Sequence, residues 1–145
     1  MARRCRTQPG LRPSCTIHAR TCIPPTMAGL SSIRGRVVLV PSPFDDLSAT
    51  KVRPAVCLTD EIGPHRHVVL AFVTSQVEPV SLPSDLVLAA GDPDFGQTGL
   101  RLPSTLRLHR LMSASTALIR RELGALSASQ LRGVESRLRL LLGLA

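Results

Sequence analysis

The chain has 145 residues, which fits one domain better than two. Hydrophobic residues make up 43% and charged residues 19%, so a core can form, yet the only aromatics are Phe44, Phe72 and Phe95. The formal charge is +8, and more than half of it comes from Arg3, Arg4, Arg6, Arg12 and Arg20 in an acid-free stretch before Met27. The remainder is mildly basic, so any nucleic-acid reading must rest on where its cations stand. The apolar runs Val68 to Val73 and Leu140 to Leu142 are far shorter than the roughly 18 residues of a membrane span, which excludes an integral membrane protein.

Residues 1–33 read as an Arg-rich tail and linker. The tail lacks the apolar stretch of a secretory signal, though its arginines and missing acids give it the look of an organelle-targeting peptide. Two readings stay open: translation starts naturally at Met27, or residues 1–26 form a disordered basic extension. Cys5, Cys15 and Cys22 lie in this tail without zinc-ligand spacing. The one body cysteine, Cys57, rules against a disulfide framework and reads as a small buried apolar residue in a reducing cytoplasm.

The folded domain is expected over residues 34–145. Val37 to Val40 is a β-branched run between Gly35 and Pro41, hence a strand. A loop with Phe44, Asp45 and Asp46 follows. Pro54 is tolerated at the first position of the next strand, which continues from Ala55 to Leu58. His67 to Ser75 is the longest apolar candidate and should be central. Leu86 to Ala89 is a short strand, and Gly91 to Gly99 is a turn-rich loop. From Thr105 to Leu111 the pattern alternates, so Leu106 and Leu108 face inward while Thr105, Arg107 and His109 share the wet face. Ile119 to Leu123 closes the sheet as an edge strand.

The end of the chain predicts a helix. Ser127 is the N-cap and Gln130 the second half of a capping box. Leu131, Val134, Leu138, Leu141 and Leu142 form one apolar stripe, and Glu135 can pair with Arg139 at i, i+4. Five or six short strands without βαβ rhythm describe a small, largely antiparallel barrel plugged by one helix.

The usual enzyme signatures are missing: there is no phosphate-cradling glycine loop, HExxH, GxSxG or CxxC. His65 and His67 have strand metal-pair spacing, but Pro64 and Arg66 put them in a turn, where a solvated role is favoured and no metal is expected. Three places depart from what a plain barrel needs. Lys51-Val52-Arg53-Pro54 puts a guanidinium at the mouth of a strand. Thr74-Ser75-Gln76 puts three hydrogen-bonding side chains at the end of the central strand. Arg107 projects from the wet face. Singly, each is an ordinary solvated charge or turn signal; together they make a cleft that suits a phosphodiester, because a guanidinium fork matches two phosphate oxygens.

The ordered set Gly35-Arg36-Val37-Val38-Leu39-Val40-Pro41, Phe44-Asp45-Asp46, Val52-Arg53-Pro54-Ala55-Val56, Ala71-Phe72-Val73-Thr74-Ser75-Gln76, Thr98-Gly99-Leu100 and Leu123-Gly124-Ala125-Leu126-Ser127 resembles the PemK/MazF family of toxin–antitoxin ribonucleases. The likeness runs from about Arg34 to Leu144. It implies a homodimeric SH3-like barrel in the cytoplasm that cuts single-stranded RNA without metal or other cofactor, leaving a 2′,3′-cyclic phosphate and a 5′-hydroxyl, and that is held in check by a cognate antitoxin. Carried over by position, Arg53 corresponds to the family's catalytic arginine and Thr74 to its catalytic threonine, with Ser75 as a stand-in. Where some relatives have Arg-x-Asp, this chain has Arg107-Leu108-His109, and no histidine stands in the Phe44 to Lys51 loop, so the identity of the general base stays open.

Arg53 is too weak a base to abstract a proton and is expected to stabilise charge; Thr74 donates to a phosphate oxygen, and His109 is the candidate proton carrier. Lys51, Arg53, Arg107 and Arg110 supply phosphate affinity that falls with salt, Gln76 lines the cleft, and Phe44 can stack one base. Two other readings keep the fold: a non-catalytic toxin that inhibits a protein target such as gyrase, or an inactive nucleic-acid-binding or antitoxin-sequestering module.

Overall fold

The computed structural model describes residues 32–42, 51–76 and 82–145. The tail with its three cysteines and Met27, and the loop with Phe44, Asp45 and Asp46, lie outside the described residues. Among the described residues, six strands and one α-helix follow in order: β1 Arg36–Ser42, β2 Lys51–Cys57, β3 His67–Thr74, β4 Asp85–Leu88, β5 Ser104–Ser115, β6 Arg121–Ala125 and α1 Ala128–Leu142. The strands pair antiparallel in the order β4-β5-β3-β2-β1-β6, a single sheet curled into a half-barrel, as the SH3-like expectation requires.

Strand alternation divides the apolar residues between two faces. Val37, Val56, Ala71, Leu88, Leu106 and Leu108 are buried on the face that α1 covers, where Val134 is 2% exposed. Val38, Val40, Ala55, Cys57, Leu70 and Phe72 are buried on the other. Each Val, Leu or Phe among them contributes about 1.5–3 kcal/mol when fully withdrawn from water.

The helix starts as its sequence predicts. Ser127 Oγ accepts from Gln130 N at 3.2 Å, and Gln130 Oε1 accepts from Ser127 N at 3.0 Å, so the capping box is complete. Leu131, Val134 and Leu138 pack against the core. Leu141 and Leu142 do not: they are 38% and 58% exposed, because the last turn has no sheet beneath it. Glu135 also departs from expectation, accepting from Arg34 Nη2 at 2.5 Å instead of pairing with Arg139. Asp60 ties down the start of the domain. Its Oδ1 accepts from Ser32 Oγ (2.7 Å), Ile33 N (2.9 Å) and Arg34 N (3.1 Å), which holds this carboxyl below its usual range.

Several strand limits differ from the sequence pattern: β1 runs past Pro41 to Ser42, and β5 and β6 are displaced as well. β5 runs to Ser115 because it pairs twice with β3: Phe72 stands opposite Arg107 and Ala71 opposite Leu111, so residues 108–110 form a bulge. The last strand begins at Arg121, later than expected, because Thr116–Leu118 form a 3₁₀ turn in which Ser115 Oγ accepts from Ala117 N.

Cys57 is fully buried, and burial, reinforced by the charges of Glu122 and Asp60, pushes its thiol up to about 11. The folded chain thus holds this proton more tightly than the unfolded chain, whose thiol titrates near 9. The stability contribution is complete below pH 9 and is lost as pH rises toward 11. Chemical denaturation across that range should show the decline, and Cys57→Ala should flatten it; rapid reaction of Cys57 itself with an aromatic disulfide reagent at neutral pH, in a variant with Cys5, Cys15 and Cys22 replaced by serine, would contradict it.

Candidate active site

The face opposite α1 carries the polar residues. Directly paired residues of antiparallel strands project to the same side, so the register defines rows across the sheet. One row reads Val38, Ala55, Phe72, Arg107, Asp85 across β1, β2, β3, β5 and β4. The next reads Val40 opposite Arg53, and Thr74 opposite Thr105, which faces Val87. The rows are separated by about 6.8 Å along the strands, and neighbouring strands by about 4.8 Å.

Arg53 and Thr74 both lie past the end of the β2–β3 pairing. Pairing between β2 and β3 spans Cys57↔Leu70 to Ala55↔Phe72. Continuing that register by two residues sets Arg53 across from Thr74. Between them in sequence stands Pro54, in the middle of β2 and paired to Leu39 of β1. Its nitrogen has no hydrogen to donate, so the ladder with β3 opens where proline stands. The sequence reading of Pro54 as the first residue of the strand is corrected accordingly: β2 begins at Lys51.

Both key side chains are half-buried. Thr74 Oγ1 accepts from Gln76 N at 3.2 Å, which leaves the hydroxyl hydrogen to be donated. In this register Thr74, not Ser75, shares a face with Arg53; Ser75 and Gln76 are exposed beyond the strand end. Lys51 is exposed two residues before Arg53, on the same face. Arg107 is half-buried beside Phe72, while Arg110 is exposed in the β5 bulge. Phe44 lies outside the described residues. The cluster presents guanidinium forks, a hydroxyl donor and flanking cations to one side of the sheet, a set suited to an anionic, phosphate-bearing ligand.

The bulge also sets the surroundings of His109. Its Nδ1 lies 3.6 Å from Asp85 Oδ1, on the strand beside β5. Asp85 was missed in the sequence, where only Leu86 to Ala89 drew notice. Its alternation with Leu86 and Leu88, both inward-facing, was the available signal. His65 and His67 are exposed in and after the turn joining β2 to β3, with ring centroids 5.9 Å apart. A separate hollow of about 420 Å³ opens at that end of the sheet, lined by Ile33, Glu61, His65, Arg66 and Thr116.

The fold has solved counterparts. MazF-mt6 from Mycobacterium tuberculosis is 22% identical, with TM-score 0.58, over 76% of this chain and 98% of that one. MazF from Deinococcus radiodurans is also 22% identical with TM-score 0.58, over 76% and 94%. A mycobacterial endoribonuclease solved with its cognate antitoxin is 15% identical, with TM-score 0.57, over 79% and 98%. At these identities the likeness is one of fold. No curated protein matches the sequence. The family model described as PemK-like, MazF-like toxin of type II toxin–antitoxin system matches residues 33–142, and the chain belongs to that family.

Proposed function

We propose that this toxin is a metal-independent endoribonuclease that cleaves single-stranded RNA to arrest translation and growth. The ribose 2′-oxygen attacks the adjacent phosphorus, giving a 2′,3′-cyclic phosphate and a free 5′-hydroxyl. Arg53 stabilises the charge that builds on the phosphorane oxygens, and Thr74 donates to one of them. Lys51, Arg107 and Arg110 hold flanking phosphates; Gln76 and Phe44 contact bases, and Ser75 borders the site. His109 moves a proton. The toxin works as a cytoplasmic homodimer and is restrained by a cognate antitoxin; the antitoxin-bound mycobacterial endoribonuclease of the same fold supports the antitoxin part of this reading.

The observation that carries this reading is the β2–β3 register, which, extended by two residues past Ala55↔Phe72, would bring Arg53 across from Thr74. Pure binding needs cations alone; it does not need a donor hydroxyl and a guanidinium aimed at one point. The test is incubation of purified protein with a long mixed-sequence RNA in excess EDTA. Cleavage is expected to persist, with cyclic-phosphate ends detectable by mass spectrometry. Intact RNA from a protein that still arrests growth would transfer the assignment to inhibition of a protein target.

A further inference from the structure

We propose that Asp85 is the positioning residue for His109: its carboxylate accepts the Nδ1 proton and turns the Nε2 lone pair toward the RNA. The inference rests on the nuclease reading for its rate effects, but its central claim concerns the imidazole itself.

Three observations converge on the pair. Asp85 lies at the start of β4, and its side chain is only 3% exposed. Its Oδ2 accepts from Leu82 N at 3.2 Å, whereas Oδ1 has no hydrogen-bond donor among the described residues. A buried carboxylate oxygen without a donor is costly, so such an atom signals a partner that completes it. The His109 Nδ1 atom stands 3.6 Å from that oxygen, one short movement outside hydrogen-bond range. Catalytic pairs are commonly this loose before substrate binds. His109 lies within the β5 bulge at residues 108–110, two residues past Arg107 and so just beyond the head of β4. The other charged groups here are Arg107, directly across from Asp85, and Arg137 of α1, whose Nε donates to the Asp85 carbonyl at 2.9 Å.

A neutral imidazole has one donor and one acceptor nitrogen, and the partner of one fixes the task of the other. With Nδ1–H held by Asp85, Nε2 accepts the 2′-hydroxyl proton as the O2′–phosphorus bond forms. The phosphorus–O5′ bond breaks, and the leaving oxygen takes a proton from water. Asp85 touches no reacting atom.

Asp85→Asn tests this directly. Leu82 N–H keeps the amide oxygen at the Oδ2 position, so the NH₂ group lands before Nδ1 and donates to it, forcing the opposite tautomer. Nitrogen-15 spectra of the ring, assigned by the signal lost in His109→Gln, are recorded at about pH 8, above the ordinary imidazole range. Wild type is expected to carry the proton on Nδ1, and Asp85→Asn on Nε2. In cleavage assays Asp85→Asn should lower kcat about tenfold to a hundredfold with KM little changed, and cost nothing further in a His109→Gln background. A wild-type ring protonated on Nε2 overturns the proposal even if the variant does not fold. So does an equal rate loss in both backgrounds, which is the mark of a purely structural role. Wild-type protein that leaves RNA uncut would instead defeat the nuclease reading, because the tautomer is read without RNA.

Discussion

Replacing Arg53 by alanine is expected to lower RNA cleavage about 10²–10³-fold, the loss associated with removing one preorganised donor aimed at developing charge. The ground state and the transition state differ in how negative the non-bridging oxygens are, so a guanidinium fixed on β2 acts more strongly on the second. Arg53 is half-buried, so circular dichroism and thermal denaturation of the variant are recorded alongside, to separate a loss of catalysis from a loss of fold. Arg53→Lys keeps the charge but loses the two-pronged fork, and is expected to recover only part of the rate. Thr74→Val, nearly the same shape without the hydroxyl, should cost about tenfold or more through kcat. Single-turnover kinetics on a short RNA with one cut site would measure all three. Full cleavage by Arg53→Ala would end the proposed role of this residue, and growth arrest by that variant would point to a target other than RNA.

Arg53 and Thr74 stand out as candidates in the sequence because their signals are local, a proline beside a strand and a run of hydroxyls at a strand end, while the roles proposed for them come from the family resemblance. Strand alternation put Leu106 and Leu108 inward, as found, but Thr105, expected on the wet face, is buried at 5% exposure between Thr74 and Val87; Ser127 with Gln130 announced the start of α1. What stayed hidden depends on distant pairing. The bulge at residues 108–110 arises because β5 pairs with β3 in two registers, and no local pattern encodes a register. Asp85 is significant only because β4 lies beside that bulge. Glu135 found Arg34, far away in sequence, because the helix lies over the start of β1, and a weak i, i+4 preference does not compete with a well-placed partner. The exposed Leu141 and Leu142 show the same limit from the other side: a helical stripe states which residues can be buried, not how far the sheet extends beneath them.

The largest loss of stability is expected from Gly99→Ala. Gly99 follows the 3₁₀ turn Gly96–Thr98 with φ of 70°, and an added Cβ would fall inside the Leu123 backbone carbonyl of β6. From the other side, a Cβ on Gly124 would strike the Gln97 and Thr98 backbone. Two backbones therefore touch with no room for a methyl, and neither obstacle is a side chain that can swing away. The contact fastens the turn to the β6 edge. It also holds Thr98, fully buried, whose Oγ1 donates to the Phe95 carbonyl at 2.7 Å and accepts from Leu100 N at 3.3 Å. Positive φ costs an alanine about 1–2 kcal/mol and overpacking about 1–3 kcal/mol, so Gly99→Ala should lose about 2–5 kcal/mol, and Tm about 10 °C or more. Three other glycines separate the causes. Gly124→Ala meets the clash without the positive φ; Gly63→Ala, at φ of 69° in open space, meets the φ without the clash; Gly91→Ala meets neither. Thermal and urea denaturation should rank them Gly99 > Gly124 > Gly63 > Gly91, the last within about 0.5 kcal/mol of wild type. Equal losses at Gly99 and Gly63 would mean that backbone strain alone is at work, and that the turn and β6 do not press together.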